Sequence, residues 1–177
     1  TLTTEEMAES VSRGWYTPVG EPIEFDGDDN RLPMDPYALG VLLGDGGMSN
    51  GSVVLSTDPE IAESLNMDMS DPFDFKYHSA SYRMWNIVPT MRKMGLMGTR
   101  SESKFVPPEY LIQSVENRVA LLQGLLDTDG SPVTGASTVE FSSTSEALAD
   151  AVVFLARSLG CTTSKVSRTT CFTYLGE

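Results

Sequence analysis

Two stretches of this chain constrain its fold more than anything else in it. Ala38 to Gly46 reads ALGVLLGDG, and Leu122 to Gly130, 84 residues further on, reads LQGLLDTDG. Each is an apolar, helix-forming run with glycine in third place, and each closes on Asp-Gly. Glycine costs about 1 kcal/mol relative to alanine inside a helix, so Gly40, Gly44 and Gly124 require a reason. Close approach supplies one. Gly40 and Gly44 lie four apart on one helical face, and Gly124 and Thr128 repeat that spacing. Two such helices can pack backbone to backbone. Packed side by side in the same sense, they bring Asp45 and Asp129 together at a shared end.

Paired carboxylates at the negative ends of two helix dipoles repel each other and the dipoles. A divalent cation resolves the conflict, because Mg²⁺ binds through one or two carboxylates together with phosphate oxygens and water. One Asp-Gly alone would read as a helix stop and a turn. Two, at matching places in matching helices, point to metal-assisted phosphoryl chemistry.

The remaining pattern predicts a duplicated α+β chain. Residues 1–35 are rich in Gly, Pro and acid and read as an extended lead-in. Asp35 caps a helix that starts at Pro36 and runs through Leu43. SVVLSTD is strand-like, and Asp58 caps a short helix to about Leu65. FDFKYHSASYRMW alternates as one strand or a bent hairpin, and VPTMRKMGLM is a short helix. A second series follows: a helix from about Val115 to Asp129, a strand at Ser137–Ser142, a helix capped by Ser143 or Ser145 and ended by Gly160. Two strand-like segments, TTSKVSRTT and CFTYL, come last. The expected division is a lead-in (1–35), a first half (36–114) and a second half (115–177), related by a pseudo-twofold axis.

Composition narrows the function. The chain has 177 residues, 40% of them hydrophobic, which is enough for a real core. No apolar run is long enough to span a membrane, and TLTTEEMAES is no signal peptide, so a soluble, cytoplasmic protein is expected. Cys161 and Cys171 have no metal-ligand spacing and read as buried thiols rather than a disulfide. His78, the one histidine, reads as a strand residue, and Trp15 and Tyr16 as anchors of the lead-in. The net charge of −13 argues against a phosphate partner, but the charge is uneven. Residues 1–35 hold nine acids and two arginines, whereas Pro72 to Lys104 holds six basic residues, two acids and five aromatics. A local basic, aromatic surface is therefore available.

These motifs resemble those of the LAGLIDADG homing endonucleases embedded in inteins. The second copy matches the nine-residue signature at Leu122, Gly124, Leu125, Asp127, Asp129 and Gly130, and the first keeps Gly40, Asp45 and Gly46. KFVPPEYL, Lys104 to Leu111, resembles the lysine segment that precedes the second motif. The resemblance implies an αββαββα-like half-domain, duplicated, with the motif helices packed at the interface. It implies site-specific cleavage of double-stranded DNA at a long target site. Asp45 and Asp129 would hold Mg²⁺, assisted by the carbonyls of Gly44 and Thr128, and Lys104 would position the attacking water or neutralise developing charge. Strands of each half would form a saddle with Lys76, Tyr82, Arg83, Lys165 and Arg168 as candidate DNA contacts.

Three departures from the family pattern matter. The second half has no counterpart of the first half's later helix and lysine loop, so a truncated second half is expected. The molecule is then a pseudo-symmetric monomer, or a dimer if the missing half must be supplied by a second copy. The chain lacks a Cys or Ser at position 1 and a terminal His-Asn, so it should not splice. The acidity is unusual for a DNA binder. These departures sustain an alternative: a degenerate LAGLIDADG module, maturase-like or regulator-like, that binds nucleic acid without cutting it.

Overall fold

The computed structural model describes residues 20–27, 31–48, 51–65, 80–84 and 86–169. It is a mixed α/β chain with two small antiparallel sheets. The elements are α1 (Pro36–Asp45), β1 (Gly46–Gly47), β2 (Val53–Thr57), α2 (Pro59–Ser64), β3 (Ala80–Met84), α3 (Val88–Lys93), α4 (Pro108–Leu111), α5 (Val115–Asp129), β4 (Gly130–Pro132), β5 (Val139–Phe141) and α6 (Glu146–Ser158). The series helix, strand, antiparallel strand, helix occurs twice, and each time the helix ends on aspartate and the strand opens on glycine.

α1 begins as its sequence requires. Asp35 accepts a hydrogen bond from the Ala38 amide at 2.9 Å, and Pro36 takes the first turn, where no amide is needed. The helix is apolar all round and buried all round, with Leu39, Val41, Leu42 and Leu43 fully enclosed. Tyr110 of α4 secures its approach by donating to the Met34 carbonyl at 3.0 Å and accepting from the Met34 amide at 3.1 Å. Burial there pushes the Tyr110 phenol up to about 12.

β2 is the middle strand of the first sheet, with β1 and β3 antiparallel on either side. Its Val53, Leu55 and Thr57 are buried, while Ser56 is exposed and shares a 2.8 Å hydrogen bond with Ser81. The second sheet pairs Gly130 with Phe141 and Pro132 with Val139. α6 starts where Ser145 accepts from the Leu148 amide at 3.1 Å and is followed by Gly160 at φ +88°.

Some expectations change. α1 continues to Asp45, past Leu43. Asp58 precedes α2 without a side-chain cap bond. Residues 161–169 form no strand, because they lie over the surface next to α6, with Arg157 holding Thr163 and Lys165 held by Glu146 and Asp150. Cys161 is exposed, not buried. Trp15, Tyr16, Lys76, His78, Cys171 and the CFTYL segment lie outside the described residues. Among the described residues no helix is long and apolar enough to cross a membrane.

Candidate active site

The site is built on the contact between α1 and α5. A Cβ added to Gly40 would lie 2.9 Å from the Leu125 amide nitrogen and 3.0 Å from the Gly124 carbonyl carbon. A Cβ added to Gly124 would lie 2.9 Å from the Val41 amide nitrogen and 3.1 Å from the Gly40 Cα. Val41 corresponds to Leu125 as Gly40 does to Gly124, so the contact is reciprocal under the 84-residue offset. One turn on, Gly44 faces Thr128, whose Cβ would sit 2.6 Å from an added methyl. Gly40 opposite Gly124 and Gly44 opposite Thr128 make the helices parallel. Their C-terminal ends therefore coincide, as the glycine spacing requires.

At that shared end stand Asp45 and Asp129, both partly buried. Burial raises the pKa of each above the ordinary carboxylate range. The charge of Asp45 raises that of Asp129 further, while Lys104 opposes the rise at both. The hydroxyl of Thr57, buried on β2, makes no hydrogen bond of ordinary length, yet it lies near enough to Asp45 to favour the ionised form. Asp58 works the other way, through like charge.

Lys104 is the unexpected part of this geometry. Its residue is 7% exposed, which is rare for lysine. The ammonium donates to the carbonyls of Leu43 and Gly44, both at 2.7 Å. These carbonyls have no partner inside the helix, so a cation at the negative end of α1 meets both the dipole and the loose acceptors. Burial lowers the Lys104 pKa, and Asp129 and Asp45 in turn oppose that shift. Its backbone is fixed from α6, since the Ser145 hydroxyl donates to the Lys104 carbonyl at 2.6 Å. Ser145 is 1% exposed and caps its own helix with the same oxygen. The end of α5 is finished differently: Thr128 donates to the Gly124 and Leu125 carbonyls at 3.1 and 3.0 Å. Among the described residues no lysine bonds the Asp127 and Thr128 carbonyls, the counterparts of Leu43 and Gly44.

Two carboxylates, one ammonium and two helix ends thus share a partly dry spot. The two glycine-bearing helices are parallel, in backbone contact, and each ends on one of the paired acids. Residues 116–174 match the family model of the LAGLIDADG-like domain. The matched residues include most of α5, both strands of the second sheet and all of α6. The chain is also similar to the replicative DNA helicase DnaB of Mycobacterium intracellulare, with 37% identity over 142 residues. The match covers 79% of this chain and 22% of that protein, so the chain spans about a fifth of the length of the curated relative it matches.

The candidate DNA contacts are scattered. Arg83 and Tyr82 are adjacent on β3 and face opposite ways: Arg83 is exposed, whereas Tyr82 is 8% exposed and packs with Ala62 of α2. Lys165 is engaged by Asp150 at 2.5 Å and Glu146 at 3.2 Å. Arg168 is exposed, and Lys76 is outside the described residues.

Sequence reasoning missed Arg118. It is completely buried and donates to the Gln113 carbonyl (2.9 Å), the Ser158 hydroxyl (2.5 Å) and the Ile23 carbonyl. Its guanidinium also lies 4.8 Å from the centre of the Phe25 ring, which stacks on Phe154. Arg118 thus ties the lead-in to α5 and α6. A lone arginine near the start of a helix gives no sign of this, because its partners at Ile23 and Ser158 are remote in sequence.

Proposed function

We propose that this chain is the DNA-cleaving part of a LAGLIDADG homing endonuclease, of the intein-embedded type, whose host gene encodes a replicative DNA helicase. The observation that carries this reading is the meeting of Asp45, Asp129 and the buried Lys104 at the coincident ends of α1 and α5.

The donor set suits Mg²⁺. Among the described residues no group of three His, Cys, Asp or Glu side chains could hold a metal, so an all-protein cage is not the design. Mg²⁺ takes one or two carboxylates and fills its other positions with phosphate oxygens and water. Asp45 and Asp129, with the Gly44 and Thr128 carbonyls, would hold it. When bound there, the ion supplies Lewis-acid polarisation of the phosphate and a more acidic water. Burial is the main cause of the raised carboxylate pKa values, and a bound cation would favour the ionised pair.

The chain's own residues do the rest. Lys104 has one ammonium proton beyond the two given to Leu43 and Gly44. That proton would meet a phosphate oxygen or the attacking water. In hydrolysis the water oxygen bonds to phosphorus and the bond from phosphorus to the 3′ oxygen breaks. The products are a 3′-hydroxyl and a 5′-phosphate. The acid pair would stand between the two strands, so that the scissile phosphate of each reaches the shared ion.

The test is Mg²⁺-dependent cleavage of DNA carrying the uninterrupted helicase gene, with the interrupted gene as control. Double-strand cutting of the first alone, lost in Asp45→Asn and in Asp129→Asn while DNA binding persists, would support the reading. Binding without any cutting would favour the degenerate binding module. The pairing of Lys165 with two acids and the −13 net charge weigh against strong phosphate binding under either reading.

A further inference from the structure

Beside Lys104 lies a cleft of about 510 Å³. Gly46, Gly47 and Gly98 give it walls without side chains, and Thr99, Arg100 and Lys104 also line it. Its lining contains two cations and no carboxylate, in a protein of net charge −13. Asp45 precedes Gly46 and Glu102 follows Ser101, but neither lines it.

The Arg100 backbone is fixed. Its amide donates to the Ser103 hydroxyl at 2.9 Å, and its carbonyl accepts from the Ser103 amide at 2.9 Å. Its side chain is exposed and, among the described residues, forms no ion pair. A planar fork of donors in the lining of a cationic cleft matches the oxygens of a phosphate. Glycine walls let such a group approach the backbone closely.

We propose that this cleft holds a backbone phosphate of the bound nucleic acid, next to the one at the acid pair, and that Arg100 is a positioning residue that clamps it. The proposal rests on the nuclease reading for the source of the phosphate, and on the cleft alone for its chemistry. Lys104 would then face both phosphates, and Arg100 only the neighbouring one. Seating that neighbour fixes the strand's register before the reacting phosphate meets Asp45 and Asp129.

Two measurements on the full chain test it. In the first, inorganic phosphate is titrated while amide NMR signals are followed. Shifts of Gly46, Gly47 and Gly98 are expected in the parent chain, reduced in Arg100→Gln and retained in Arg100→Lys. No shift at these glycines, or equal shifts in Arg100→Gln, would overturn the proposal. In the second, DNA binding is measured against salt. Arg100→Gln should weaken binding about tenfold and reduce the salt slope by about 0.9, the value for one phosphate contact. Arg92→Gln, exposed on α3, should change neither. In cleavage, Arg100→Gln should raise KM and lower kcat, with partial rescue by Arg100→Lys. An unchanged salt slope in Arg100→Gln would contradict the clamp. If the glycine signals respond to phosphate but no DNA is bound, the cleft is an anion site for a free phosphate and the nuclease reading fails by itself.

Discussion

At the scale of single residues, the acid pair is held at an electrostatic cost, and that cost has a pH signature. Asp45 and Asp129 keep their protons to higher pH in the folded chain than in the unfolded one. Between the ordinary carboxylate range near 3.9 and the raised folded values, the folded state binds more protons. Stability therefore falls as pH rises through that window. An asparagine carries no charge and removes the fall. Asp45→Asn and Asp129→Asn are each expected to raise stability at neutral pH by on the order of 1 kcal/mol, or about 2–4 °C in Tm. The gain should vanish in acid below the ordinary carboxylate value. Thermal unfolding from acid to neutral pH checks this, and an Asn variant less stable throughout would contradict it. These acids were legible in the sequence because a repeat marked them. Lys104 was legible as a residue but not in its posture, since the carbonyls that receive it belong to a helix 60 residues earlier.

For the paired helices, two physical effects predict opposite outcomes. Helix propensity alone says that Gly40→Ala or Gly124→Ala stabilises by about 1 kcal/mol. The contact says otherwise, because each added methyl would press on backbone atoms that cannot turn away. Overpacking of this kind typically costs about 1–3 kcal/mol, and backbone neighbours place both variants at the upper end. A loss of about 2 kcal/mol net is expected in urea unfolding, against no loss for Gly20→Ala, where nothing lies near. A gain at Gly40 or Gly124 would mean that the helices stand apart. The range of α5, the cap at Asp35 and a cap at Ser143 or Ser145 could be read directly, because cap and helix are local in sequence; the structure decides for Ser145. The strand-like run TTSKVSRTT could not, as its described residues 162–169 show. Its alternation is β-like, but its Lys165 is held by the acids of α6.

Across the whole molecule, Arg118 connects parts that the sequence keeps far apart. Removing its guanidinium leaves the Ile23, Gln113 and Ser158 oxygens without their donor, and it also uncovers Phe25. Arg118→Met is expected to cost about 3 kcal/mol. Exchange at the Ile23 amide, which donates to the Ser158 carbonyl at 2.8 Å, should become much faster. Unchanged exchange there would show that the lead-in is held by other contacts.

The account depends on both acids serving one cation. Mn²⁺, a paramagnetic stand-in for Mg²⁺, can be added to the chain with target DNA while the Gly46 and Gly130 amides are observed by NMR. Each of these amides directly follows one of the two acids. Both should broaden together at the same low ion concentration, and neither should do so in the Asp45→Asn/Asp129→Asn double variant. Broadening confined to the acidic lead-in, or of one glycine without the other, would contradict the shared site.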